Sequence, residues 1–259
     1  DRNRTSPFAF IGNKFEFRML GSSNSIACAN IMLNAAVAQS LKLYADELER
    51  AEDFNTALHE LIKRTIKAHK RIIFNWIREA VEERGLLNLH TTPDAIPELL
   101  KKKNIEMLTA HKVYTETELR SRYEIMLENY CKTVCIEAQT MSDMARKQIL
   151  PAVARYAADV ARDAAGKKAL DAGISCGYET KLVKKLAAVT ERIDTRVDAL
   201  DSVTARLKTL SDVTEEADFI RDELLSRMTE LRAAADRLET LVGEKYWPFP
   251  TYGDLLFGV

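Results

Sequence analysis

The chain has 259 residues, enough for one large domain or two small ones. Apolar residues make up 46% and charged residues 30%, which fits a real core wrapped in solvated helices, and only nine Gly and six Pro argue against an all-β fold with its many turns. With Lys+Arg at 38 against Asp+Glu at 39, no net field favours nucleic acid or membrane, and no apolar run nears the roughly 20 residues of a membrane span.

The first eighteen residues read DRNRTSPFAFIGNKFEFR. Lys14, Glu16 and Arg18 alternate with Phe15 and Phe17, the period-two pattern of a strand with one apolar face. Phe8 and Phe10 alternate likewise across the Gly12-Asn13 pair, so a hairpin or strand-loop-strand is expected. Such a ribbon would set Lys14, Glu16 and Arg18 on one face. From pattern alone this is either a half-solvated sheet edge or a carboxylate among cations, suited to a metal ion with an anionic ligand. No initiator Met or signal peptide opens the chain, and a start inside a motif is read as a piece of a longer protein.

The Gly21 to Ser25 cluster predicts a loop ending in a helix cap. The next helix is expected to reach about Arg50, burying Ile31, Leu33, Val37, Leu41 and Leu48. A second is expected from about Phe54 to Arg84, with Leu58, Leu61, Ile62, Ile66, Ile72 and Ile73 as its apolar stripe and Gly85 as its stop. Its basic run from Lys63 to Arg71 is either a solvated face or a phosphate-binding one. Thr91 to Asp94 marks a helix start with Pro93 in the first turn, and Thr115 with Glu118 reads as a capping box opening a long helix. Pro151 should kink or break that helix, and the Ala-rich run from Ala152 to Ala165 permits close helix packing.

From Tyr178 apolar residues recur at spacings of three and four: Leu182, Leu186, Val189, Ile193, Val197, Leu200, Val203, Leu207 and Leu210. After the polar break Ser211 to Thr214, a second stripe runs from Ile220 through Leu224, Met228, Leu231 and Leu238 to Leu241. The two stripes predict an antiparallel helical hairpin over about 178–243. The tail 244–259, with Tyr246, Trp247, Pro248, Phe249 and Pro250, is predicted to be rigid and to dock on a folded body, its own oligomer or another protein. Cys28, Cys131, Cys135 and Cys176 form no CxxC pair, and His59, His69, His90 and His111 are scattered. A zinc site is therefore not expected, and free thiols in a reducing cytoplasm are.

Several of these segments together resemble the type III branch of the glutamine synthetase family. Asn3-Arg4-Thr5, Glu16-Phe17-Arg18 and the run Asn30 to Ala36 are similar to that family's Asn-Arg-Ser/Thr element, Glu-x-Arg strand and following helix. Leu127 to Thr133, Glu137 to Met141 and Tyr246 to Asp254 resemble hallmarks of the type III branch, so the resemblance spans nearly the whole chain. One departure stands at Asn75-Trp76, where relatives carry a Gly-rich insertion.

The resemblance implies a parent that uses ATP to phosphorylate the side-chain carboxylate of glutamate, which ammonia then converts to glutamine. It implies ATP and Mg2+ or Mn2+ as cofactors, glutamate and ammonia as substrates, a cytoplasmic homo-oligomer, and neither nucleic acid nor membrane as a partner. Residue by residue it makes Glu16 a metal ligand on the nucleotide side and Lys14 a neighbour of the nucleotide phosphates. Arg18 would contact the glutamate substrate or transferring phosphate, and Arg4 would stabilise the phosphoryl group. The fold so implied is mainly α, with long helices, the helical hairpin and a short N-terminal β-strand pair left from the catalytic α/β domain. Residues 1–112 would be the C-terminal part of the catalytic domain and 113–259 a helical C-terminal region. The family's other glutamates, its histidine ligand and its flap are missing here, so the isolated chain is expected to be inactive. Two alternatives from other classes are a helical oligomerisation module without catalysis and a coiled-coil adaptor.

Overall fold

The computed structural model describes residues 8–10, 15–17, 25–69, 76–83, 85–250 and 252–257, and what it describes is mainly helical. The chain divides into two compact units, Asp1–Tyr123 and Glu124–Val259.

In the first unit, strands β1 (Phe8–Phe10) and β2 (Phe15–Phe17) pair antiparallel. Helix α1 (Ala27–Glu49) packs on α2 (Phe54–His69), and Arg64 of α2 donates to Glu47 of α1 at 2.7 Å. Between residue 75 and Gly85 the chain makes a π-helical turn, Trp76–Glu82. Gly85 closes it at φ 68, its amide bonding Val81 and the next amide, of Leu86, bonding Ala80. A left-handed residue of this kind satisfies carbonyls that the helix end leaves open.

Thr91 caps α3 (Thr92–Ala95), accepting from the Asp94 amide, with Pro93 in the first turn where its missing N–H costs nothing. A 3-10 turn, Ile96–Leu100, leads into α4 (Lys102–Ala110). That helix ends at Lys112, a non-glycine at φ 55, where the Val113 amide reaches back to Leu108 and the Lys112 amide to Thr109. The capping box follows as expected: the Thr115 amide donates to Glu118 Oε2 at 2.8 Å and the Glu118 amide to Thr115 Oγ1 at 3.2 Å. It opens α5 (Glu116–Met144), whose Leu119 joins Ala35 and Leu108 in a small core edged by Met32, Leu99 and Tyr114.

The stripe expected on α1 is not buried. Val37 is 52% and Leu41 60% exposed, while Ile31, Leu33 and Leu48 are half-buried and only Ala35 is fully enclosed. The same holds on α2, where Leu61 is buried but Ile62 and Ile66 are exposed; Ile72 and Ile73 lie outside the described residues. Apolar spacing shows which side of a helix is greasy; it does not supply an element to cover it.

The second unit is built from three helical rods. The remainder of α5 continues through a π-helical turn, Ala145–Ile149, into α6 (Leu150–Leu170). Pro151, expected to kink or break the helix, sits in the first turn of α6 and the path stays helical. The residue whose carbonyl its ring would strike, Lys147, lies in the wider π turn, which relieves the clash. α7 (Gly177–Leu207) returns along α6, and a third rod runs back along α7 as α8 (Val213–Phe219), a π turn at Ile220–Leu224 and α9 (Leu225–Glu239). At the last reversal Asp212 caps α8, accepting from the Thr214 and Glu215 amides at 2.9 Å each, and the Arg206 guanidinium lies 5.0 Å from the Phe219 ring centre.

Leu182, Leu186, Val189, Ile193, Val197, Leu200, Val203 and Leu207 of α7 are all buried, the row predicted from spacing. Leu210 falls past the end of α7 and is half-buried. Across from them stand Ala217, Ile220, Leu224, Leu231, Ala234 and Leu238, with Met228 and Leu241 half-buried. Two polar links fix the register. Glu179 at the start of α7 accepts from Lys167 near the end of α6, and near its far end Asp201 accepts from Ser142 at 2.6 Å and Arg146 at 2.7 Å, with Arg146 also donating to Asp198. The tail returns onto this unit: a 3-10 turn at Glu244–Tyr246 brings the Tyr246 hydroxyl to Asp159 of α6 at 2.5 Å and its ring 5.0 Å from that of Tyr156, before α10 (Tyr252–Phe257).

Two outcomes follow from this packing. Leu200 is wholly enclosed, so Leu200→Ala should lower unfolding free energy by about 2–5 kcal/mol and Leu200→Asp should melt the second unit, read by circular dichroism against denaturant. The Asp201 carboxyl would be raised by burial, but the hydrogen bonds from Ser142 and Arg146 hold it below its ordinary value. A depressed carboxylate contributes stability above its unfolded pKa of about 3.9 and loses it as pH falls through the folded value. Asp201→Asn should therefore lower the melting temperature at pH 7, with the difference from the parent chain fading below about pH 4.

Candidate functional site

The residues singled out for chemistry cluster at the N-terminus. Arg4, Lys14 and Arg18 lie outside the described residues, and of Glu16 the structure gives the backbone, at the middle of β2. There the register opposes Glu16 to Ala9, Phe15 to Phe10 and Phe17 to Phe8. Directly opposed residues of an antiparallel pair share a face, so the four phenylalanines fall on one face of the ribbon and Glu16 on the other beside the smallest residue of the pair.

Elsewhere the described side chains carry little that suits catalysis. On α2, Lys63 is paired with Glu60 at 2.9 Å and Arg64 with Glu47 at 2.7 Å; Lys70 and Arg71 lie outside the described residues. These two cations of the basic run serve surface pairs. Arg146 is held by two carboxylates at once, a structural clamp with no charge left over for an anion. His111 Nε2 lies 2.9 Å from Gln39 Oε1, tying the end of α4 to α1. All four cysteines are free thiols, and burial, aided by the nearby Glu216 charge, pushes Cys131 up to about 11, which leaves it protonated and inert at neutral pH. Among the described residues no group of three or more His, Cys, Asp or Glu is placed to hold a metal ion, and no helix is long and apolar enough to cross a membrane.

Sequence reasoning did not foresee the hollow beneath the tail. Trp247, Phe249, Pro250 and Leu255 roof a cavity of about 760 Å³ floored by Met141, Met144, Ile149, Leu225 and Met228. Trp247 and Phe249 meet edge to face at 6.1 Å. The aromatic, proline-fixed composition of the tail was the available signal, and it pointed to docking on its own oligomer or on another protein. The surface is the chain's own second unit.

Comparison with known proteins bears on the whole chain. The family profile described as glutamine synthetase C-terminal domain matches residues 57–168. A glutamine synthetase of Butyrivibrio fibrisolvens is 36% identical over 100% of this chain and 38% of its own length. A type-3 glutamine synthetase of Dictyostelium discoideum is 34% identical over 99% of the chain and 37% of its own, and a glutamine synthetase of Bacteroides fragilis is 30% identical over the same shares. The chain thus spans a little over a third of the length of the relatives it matches. Residues 57–168 thus carry the C-terminal domain of the glutamine synthetase family, and the chain as a whole is similar to glutamine synthetases, a type-3 enzyme among them.

Proposed function

We propose that this chain is part of an ATP-dependent glutamate–ammonia ligase that makes glutamine through a γ-glutamyl phosphate, and that alone it is catalytically silent. The observation that carries the reading is end-to-end similarity to proteins named glutamine synthetase, together with the Asn3-Arg4-Thr5 and Glu16-Phe17-Arg18 elements. Residues 1–112 then close the catalytic domain, with the paired strands as the last piece of its sheet, and 113–259 form a helical C-terminal region. Glu16 serves as one ligand of a nucleotide-side Mg2+ or Mn2+, and Lys14 faces the nucleotide phosphates. Arg18 holds the glutamate carboxylate or the transferring phosphate, and Arg4 neutralises the phosphoryl group. A divalent ion in such a site offsets charge on the phosphoryl oxygens. One carboxylate does not make a metal site, so the ion needs further ligands beside Glu16. The parent on this reading is a cytoplasmic homo-oligomer with glutamate and ammonia as its substrates.

A second reading, a helical module for assembly, draws on the exposed Val37, Leu41, Ile62 and Ile66 of α1 and α2. It is compatible with the first for this piece of the protein.

In the complete parent, Glu16→Ala should lower turnover roughly 10²–10³-fold, about 3–4 kcal/mol, the scale of losing one preorganised electrostatic contact. Near-normal glutamine formation by that variant would remove Glu16 from the site. The purified 259-residue chain should form no glutamine from glutamate, ammonia and ATP. Light scattering of the same sample separates the assembly roles: an oligomer that survives dilution credits these helices, and a monomer credits the rest of the parent.

A further inference from the structure

Around the turn from α6 to α7 the second unit has a hollow of about 680 Å³ lined by Lys168, Lys181, Lys184 and Lys185, with the Thr180 side chain among them. A smaller hollow of about 290 Å³ shares Lys185 and Ala188 with it and adds Arg192 and Arg237. Together the two are lined by six cations and, among the described residues, by no carboxylate. Lys181, Lys185, Ala188 and Arg192 follow one another at steps of four, three and four, so they stand in one row along α7 about 17 Å long. The alanine leaves the floor of the row open between its cations.

All six are exposed, and none is in an ion pair among the described residues. Their neighbours differ: Lys167 is paired with Glu179, Arg146 with Asp198 and Asp201, Arg221 with Asp218, and Arg232 with Asp236. Lys168 donates to the Ala172 carbonyl at 2.8 Å, which anchors its ammonium at the rim. On a chain of net charge −1, six like charges gathered without a counter-charge repel one another and favour any ligand that brings several negative charges at once. No aromatic side chain lines either hollow, so bases have nothing to stack on, and the row is too short for an extended strand.

We infer that these joined hollows bind a compact multi-phosphate anion, with a linear triphosphate as the recognised chemistry. Lysine suits this ligand as a mobile point charge with three donors for phosphate oxygens. The inference is independent of the ligase reading, since none of its residues lies in the N-terminal element.

The test is calorimetric titration of the chain with sodium tripolyphosphate in magnesium-free, low-salt buffer, beside the Lys181→Ala/Lys185→Ala/Arg192→Ala variant. All three side chains are exposed, and circular dichroism checks that the variant keeps its helices. Binding should weaken steeply with added salt, fall about tenfold or more in the variant, and be far weaker for orthophosphate. ATP separates the sources of the ligand: affinity equal to tripolyphosphate and equally lost in the variant points to free polyphosphate, and a higher affinity lost in the variant points to a nucleotide. The inference is overturned if tripolyphosphate gives no binding heat, if the variant binds as well as the parent chain, or if a thymidine oligonucleotide binds where tripolyphosphate does not.

Discussion

The second unit depends on one row of side chains. From Leu182 to Leu207, α7 turns an unbroken line of Leu, Val and Ile inward, with α6 on one flank and α9 on the other. Thirty-one residues at 1.5 Å each make this rod about 46 Å long, and burying such a line is the main favourable term available to it. Non-directional burial would tolerate sliding by a turn. The polar links do not: Lys167 with Glu179 at one end and Ser142 and Arg146 with Asp201 near the other fix the register of α7 against the α5–α6 rod. With the apolar line inward, the charges of α7 are left to face water, and the row from Lys181 to Arg192 is one outcome of that division.

What the sequence made legible follows from what spacing can encode. The stripe on α7 was readable because threes and fours sustained over many turns fit a helix with one apolar side and little else, and eight of its nine members are enclosed. The Thr115–Glu118 box and the Thr91 cap were readable because each is a local bond between side chain and amide, settled within four residues. The fate of α1 was not, because Val37 and Leu41 have the right spacing but stay exposed, with no covering element among the described residues of their unit. Nor were the π turns at Ala145–Ile149 and Ile220–Leu224: widening a turn by one residue alters backbone bonds while leaving apolar positions four apart, as an α-helix also does. Pro151 shows the same limit, since the feature that accommodates it lies in the backbone just before it.

The chemical residues stand on a different footing. Spacing gave only an acid between two bases on an alternating strand, a pattern shared with ordinary sheet edges. The roles assigned to Arg4, Lys14, Glu16 and Arg18 came from family likeness, and that likeness is carried by relatives that match the chain from end to end. The register of the strand pair adds one physical point, the small residue opposite Glu16. The helices need no chemistry of their own on this view, and Cys131, Arg146 and His111 are each tied to packing or to a neighbour.

The anchoring of Tyr246 on Asp159 and of the tail over α5 and α9 bears on how such a polypeptide is made. The first rod has emerged long before its third partner exists, leaving Leu127, Val134 and Ile149 wet on a nascent helix during translation. Full burial of those positions waits for the later rods that pack with this one. A stalled or prematurely terminated product would thus present a long greasy surface to chaperones and proteases.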